Sequence, residues 1–277
     1  MIRVELAKLF RRPRTYVMAA LLCTLPIVVA IVLVTSQLPP PPGQGAAFLS
    51  AVLANGALYP AAAIALVLPI FLPVATAVLA GDAVAGEASA GTLRYLLIRP
   101  VGRTRLLVAK LISLIAFVLF AIAAVLATSF LTGITLFGTG GATQQIGLPA
   151  DITSLSGVAI SPAGLVIRLL ATVGYVTVSM LGVAAIALFF STLTDSALGS
   201  AMGALAVLVT SQALVALDGA AAIRPYLPTR YWLAWIDFFR DPVLWRDVER
   251  GIGVQLVYLA VLLGAAWANF MTRDVTS

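Results

Sequence analysis

Histidine is absent from all 277 residues, and the chain holds one cysteine, Cys23, and two lysines, Lys8 and Lys110. Without imidazole there is no histidine metal ligand, general base or proton relay, which excludes a serine–histidine protease and an H-E-x-x-H metallopeptidase. One cysteine excludes an internal disulfide. Neither lysine follows a glycine, so no G-x-x-x-x-G-K-[ST] loop exists and ATP hydrolysis by that route is closed to this chain. Charge is scarce as well: 10% of residues, against about 25% in a soluble domain. Carriers driven by protons or sodium usually keep ionisable groups inside the membrane, and the apolar runs here contain no Asp or Glu.

What the chain has in quantity is apolar sequence, 61% of residues, with a mean hydropathy of +1.07. That composition reads as an all-α integral membrane protein forming a single transmembrane domain over 1–277. Six runs are long enough to cross a hydrocarbon core of about 30 Å: Tyr16–Val34, Ala57–Ala80, Leu106–Phe137, Leu165–Phe190, Ala197–Leu217 and Ile252–Met271. The third is long enough to tilt or to extend beyond the lipid. Ser191-Thr192-Leu193-Thr194-Asp195-Ser196 divides the fourth run from the fifth.

Basic residues orient the set. Arg3, Lys8, Arg11, Arg12 and Arg14 precede the first span, and Arg94, Arg99, Arg103, Arg105 and Lys110 follow the second, whereas 35–56 and 138–163 have no Lys or Arg. The positive-inside rule then places both termini in the cytoplasm. Segment 218–251 argues against this, because it falls outside yet carries Arg224, Arg230, Arg240, Arg246 and Arg250. The two N-terminal basic segments decide the orientation, since flipping would put ten basic residues outside. The net charge of +6 is a topology signal rather than a nucleic-acid footprint.

Residues 1–15 predict an amphipathic helix lying at the interface, with Ile2, Leu6, Leu9 and Phe10 on one face. A cleaved signal peptide competes with it, but the apolar run is long for one and Thr35-Ser36-Gln37 offers no small-x-small site. In 218–251, Trp232, Trp235, Ile236 and Phe239 recur at helical spacing and predict a short helix anchored at headgroup level by Trp232, Trp235 and Phe239, between Pro228-Thr229 and Pro242. The loops at 37–45 and 138–163 read as plain outer connectors. Pro26, Pro60, Pro69 and Pro73 can kink the first two spans or simply be tolerated there. Gly199 and Gly203 form a GxxxG that packs a helix closely or arises by chance in Ala/Gly-rich sequence. Lys110 and Arg168, near span ends, can snorkel to the interface.

The most specialised stretch lies between spans two and three, residues 81–105. Gly86 and Gly91 punctuate the end of span two, Thr92 can cap a short helix that Pro100 ends, and Thr104 can cap the helix that follows. The arginines alone answer to anionic lipid. Glu87, the two glycines and the stop–start helix grammar point instead to the docking of a soluble partner, with Glu87, Gly91, Thr92, Arg94, Arg99, Pro100 and Arg103 as contact residues.

On these residues the chain resembles the membrane-spanning subunits of type-2 ABC transporters, which include multidrug and nitrous-oxide-reductase-maturation permeases. Glu87, Gly91-Thr92, Leu96-Leu97, Arg99-Pro100-Val101, Arg103 and Lys110 are similar to that family's Glu-x-x-x-Gly-Thr … Pro-(Val/Ile)-x-Arg … Lys segment, and Phe190-Ser191-Thr192-Leu193-Thr194 and Arg273-Asp274-Val275-Thr276 support the likeness. The departure is the uncharged Ala88-Ser89-Ala90 after Glu87. The resemblance implies six spans with a cytoplasmic coupling helix between spans two and three and a re-entrant outer segment at 218–251. It further implies a multi-pass subunit of the bacterial plasma membrane, paired with a second permease subunit, the same chain or a different one. Two separate ATP-binding subunits would hold ATP and Mg, and this chain would carry no cofactor or catalytic site of its own. Lipophilic or amphiphilic cargo would leave through an apolar dimer interface. An ATP-independent scaffold that recruits another protein through the same segment, or a secondary carrier, are the alternatives.

Overall fold

The computed structural model describes residues 1–36, 52, 55–91, 102–138 and 152–272. Nine α-helices are found among them: α1 (Ile2–Arg11), α2 (Pro13–Ser36), α3 (Tyr59–Val67), α4 (Phe71–Asp82), α5 (Ala85–Ser89), α6 (Arg103–Phe137), α7 (Pro162–Leu193), α8 (Ala197–Ala216) and α9 (Trp245–Thr272). Five of these (α2, α6, α7, α8 and α9) are long and apolar enough to cross a membrane. The chain is therefore an all-α membrane protein.

The sixth expected span, Ala57–Ala80, is broken. A 3-10 turn at Gly56–Leu58 runs into α3, and α3 and α4 meet at a bend of 57° across Leu68, Pro69 and Ile70. Proline chemistry accounts for the break. Pro69 cannot donate to Ala65, and Pro73 cannot donate to Pro69, so two successive rungs are missing along one helix face. The ladder is intact on either side, with Leu68 N bonded to Ile64 O at 3.0 Å and Val74 N to Ile70 O at 3.1 Å. Pro26 sits inside α2, and Pro60 occupies the first turn of α3, where a missing N–H costs little.

The bend hands this segment from one group of helices to another. α3 packs on α6, which also carries α2 and α1; α4 packs between α7 and α8. α7, the most buried of the long helices, has its closest partner in α9. Reciprocal glycines bring α7 and α9 together: Gln255 of α9 fills the space a Cβ would need at Gly182, and Tyr175 of α7 does so at Gly251. On the other side, Gly56 and Gly133 meet backbone to backbone, and Gly56 N donates to Gly138 O at 3.1 Å. Gly199 and Gly203 serve contacts within the chain, Gly203 facing the Phe190 ring and Gly199 its own capping residue Ser196.

Residues 218–244 form 3-10 turns, at Asp218–Ala220, Arg224–Tyr226 and Ala234–Phe239, rather than the expected amphipathic helix. Trp232, Trp235 and Phe239 are buried in the core, not turned outward as headgroup anchors. Side chains of the long helices strap this segment down: Tyr175 Oη donates to Tyr231 O at 2.6 Å and Gln255 Nε2 to Pro228 O at 2.6 Å. Part of the expected plain connector is also structured. Strands β1 (Ile152–Thr153) and β2 (Ala159–Ile160) pair antiparallel, Leu155 N bonds Phe239 O, and the Ser156 hydroxyl accepts from Asp241 N. α9 begins at Trp245, several residues before the expected Ile252, so that its first turns are polar.

Candidate functional site

Only three acids occur in the first 150 residues, Glu5, Asp82 and Glu87, and only two lysines in the whole chain. All five side chains meet at one end of the bundle, with Arg12 and Arg14. Two short helices, α1 and α5, bring them together beside the first turns of α6. α1 ends where Arg12 turns extended before Pro13, the residue before a proline being disfavoured in the α region. Thr15 and Tyr16 hydroxyls then bond Leu9 O and Phe10 O, covering the last carbonyls of α1. This elbow lays α1 across α6, with Leu9 and Glu5 on its buried face; Ile2 and Phe10 are more exposed than the amphipathic pattern suggested.

α5 supplies Glu87. Its N-cap residue, Val84, supplies no side-chain cap; Ser191 of α7 serves the helix start instead, its Oγ accepting from Val84 N at 3.1 Å and Ala85 N at 2.9 Å. The same hydroxyl donates to Gly81 O at 2.6 Å, and Ser200 Oγ donates there too at 2.9 Å. The polar break at 191–196 is thus the brace for the end of α4. Gly86 leaves room for the Asp82 carboxylate. Gly91, at φ +67°, closes α5 with a left-handed residue, which favours glycine for want of a Cβ.

Within the cluster, Lys110 Nζ lies 2.8 Å from Glu87 Oε2 and 3.8 Å from Glu5 Oε2. Lys8 Nζ is 3.1 Å from Glu87 Oε1 and from Glu5 Oε1, closing an alternating ring of two acids and two bases. Beside it, Asp82 Oδ2 takes Arg12 at 2.9 Å and Arg14 at 2.8 Å. Burial alone pushes the Glu87 carboxyl up, but Lys110 and Lys8 outweigh it and hold the group below its ordinary value. Burial pulls Lys8 down, and its bonds to Glu5 and Glu87 carry it above its ordinary value. The cleft among these groups holds about 50 Å³, room for little beyond a water. Its chemistry is that of a clamp, joining α1, α5 and α6 through charge.

This arrangement redirects four of the sequence expectations. Glu87 is 7% exposed, its charge met by the chain's own lysines rather than presented to a partner. Lys110 is 2% exposed and does not snorkel. Arg103 donates to Phe270 O at 3.0 Å and Met271 O at 2.8 Å, so it caps the last turn of α9 where the helix dipole favours a cation. Thr104 does not cap α6, which starts after Gly102; its hydroxyl instead accepts from Trp267 Nε1 at 2.9 Å. Thr92, Arg94, Arg99 and Pro100 lie outside the described residues. Among the described residues, no three His, Cys, Asp or Glu side chains converge on a position that could hold a metal.

The cluster was missed from sequence because its members lie far apart, at 5–14, 82–87 and 110. The available signal was scarcity: a membrane chain with so few acids and lysines has reason to pair each one. No curated protein matches the chain. A family model does match, over residues 18–217, from the second turn of α2 to the end of α8. The chain therefore belongs to DUF2705, a family described as proteins of unknown function.

Proposed function

We propose that this chain is the membrane-spanning subunit of an ATP-driven exporter, powered by separate ATP-binding subunits that dock on the segment between α5 and α6. The observation that carries the reading is the charge clamp. It fastens both borders of that segment, Glu87 before it and Lys110 after it, to each other and to α1. A push on residues 92–101 would then be delivered to a rigid junction rather than dissipated in a loose loop. From the junction the push would travel along α4 to the 57° bend, where the same segment changes helix neighbours. A bend between two packed groups is a position at which small rotations become large displacements.

Two further features support the reading. The sequence between Glu87 and Lys110 resembles the docking segment of type-2 ABC permeases, and the chain has no P-loop of its own. In this reading both termini and the clamp face the cytoplasm, a second permease subunit completes the path, and the cargo is lipophilic or amphiphilic. Docking contacts fall to Thr92, Arg94, Arg99 and Pro100, with Glu87 and Arg103 holding the frame from inside.

Affinity capture of the tagged chain from solubilised native membranes tests this. The expected result is co-purification of a nucleotide-binding subunit, efflux that needs its hydrolysis, and no ATPase activity in the rigorously purified single chain. Hydrolysis by the chain alone refutes the reading. Capture of a partner without a nucleotide site also refutes it and favours the scaffold.

A further inference from the structure

A groove of about 830 Å³ runs along the outer face of α9, away from the clamp and the bend. Its volume lies within the usual range of ligand pockets, about 300–1,000 Å³. One wall is a stripe of α9 at positions 250, 253, 257 and 261, with Tyr226 and Tyr231 of the 3-10 segment opposite. The stripe follows helical spacing, so it is a straight channel, and from Arg250 to Leu262 it measures about 18 Å at 1.5 Å per residue. Gly253 has nothing within 4 Å of where a Cβ would stand, which leaves the channel open just below its mouth. Val257 and Val261 are strongly exposed along its floor.

The mouth differs in kind from the floor. Arg250 is the last charged residue before a stretch without charge that continues to Thr272. It therefore stands where α9 passes from polar to apolar surroundings, the level of lipid headgroups. Among the described residues Arg250 has no ion pair, although Asp247 and Glu249 are close in sequence. A guanidinium is always charged and offers a planar fork of donors suited to phosphate. An unpaired guanidinium above an apolar channel about one acyl chain long is complementary in charge, length and polarity to a single ligand class.

We propose that the α9 groove is a binding site for one anionic phospholipid of the surrounding bilayer, its phosphate on Arg250 and one acyl chain along Gly253, Val257 and Val261. The site rests on the chain being membrane-embedded and not on the transport reading. Lipid held here would brace Tyr226 and Tyr231, and with them the segment that buries Trp232 and Trp235, against α9.

Native mass spectrometry of the full chain, delipidated in detergent and offered equimolar dioleoyl phosphatidylglycerol and dioleoyl phosphatidylcholine, tests the assignment. The expected result is one retained phosphatidylglycerol, preferred over phosphatidylcholine by about tenfold or more. Arg250→Gln should abolish the preference while Arg246→Gln, on the same polar end of α9 but outside the groove, leaves it intact. Gly253→Leu should expel the lipid by filling the channel, and Gly264→Leu, which lies outside the groove with open space around it, should not. Arg250→Gln alters only an exposed side chain, so the test stands even where a leucine variant fails to fold. Equal retention of the two lipids identifies an annular contact only and overturns the proposal, as does an undiminished preference in Arg250→Gln.

Discussion

Replacing Lys110 with methionine isolates the energetics of the clamp. Methionine keeps the length and apolar character of the stem but removes the ammonium, which lies 2.8 Å from Glu87 and 3.8 Å from Glu5. Two largely buried carboxylates are then left with Lys8, itself partly exposed, as the sole member of the ring that remains opposite them. Removing one partner of a buried ion pair costs about 3–5 kcal/mol, because the remaining charge is stranded out of water. The double variant Glu87→Gln/Lys110→Met removes one charge of each sign and leaves Glu5 and Lys8 paired at 3.1 Å. Replacing both members of a buried pair is often close to neutral, so the double variant should lie within about 1 kcal/mol of wild type. Unfolding in mixed micelles, followed by tryptophan fluorescence, reads all four corners of the cycle (wild type, Glu87→Gln, Lys110→Met and the double variant) and the coupling between them. A Lys110→Met variant as stable as wild type would show that the ring carries no net interaction. A double variant less stable than Lys110→Met would show that the Glu87 carboxylate is held through Lys8, 3.1 Å away, and not through Lys110. Either result removes the mechanical basis of the proposed function.

The clamp also predicts a pH dependence with a definite sign. Glu87 is held below its ordinary value of 4.5, so its contribution is present above that value and is lost as pH falls through the lower folded value; Lys8, held above 10.5, contributes up to that pH and loses its part only beyond it. Thermal stability should therefore be flat around neutrality and fall in acid, and Glu87→Gln should flatten the acid limb; an unchanged limb in that variant would assign the titration elsewhere. Gly133→Ala should destabilise by about 1–3 kcal/mol, since its Cβ would collide with Gly56 O and stand 2.7 Å from Tyr59 Cβ, backbone and buried side chain that cannot move aside; wild-type stability would show that this crossing is loose. Ser191→Ala should cost about 1–3 kcal/mol by stripping the acceptor from Val84 N and Ala85 N, whereas Ser89→Ala, which is exposed, should change stability by less than about 0.5 kcal/mol; equal effects would deny Ser191 its bracing role.

Sequence alone determined that the chain is helical and membrane-embedded, because apolar runs of span length signal themselves residue by residue. It also located the ends of the long helices to within a few residues, apart from the early start of α9. The polar break at 191–196 and the proline pair Pro69 and Pro73 are local signals too, since missing N–H donors act on their own helix. Tertiary structure alone decided what each charge and each aromatic faces. Lys110 and Glu87 are 23 positions apart and Lys8 and Glu87 are 79 apart, so no periodicity relates them; the elbow at Arg12 and the brace at Ser191 do. Trp232, Trp235 and Phe239 follow the spacing of an interfacial helix, yet they are buried because Tyr175 and Gln255, from two different helices, bind the backbone of Tyr231 and Pro228. Side-chain identity states what a residue can bond to, and only the packing of distant segments decides which partner arrives.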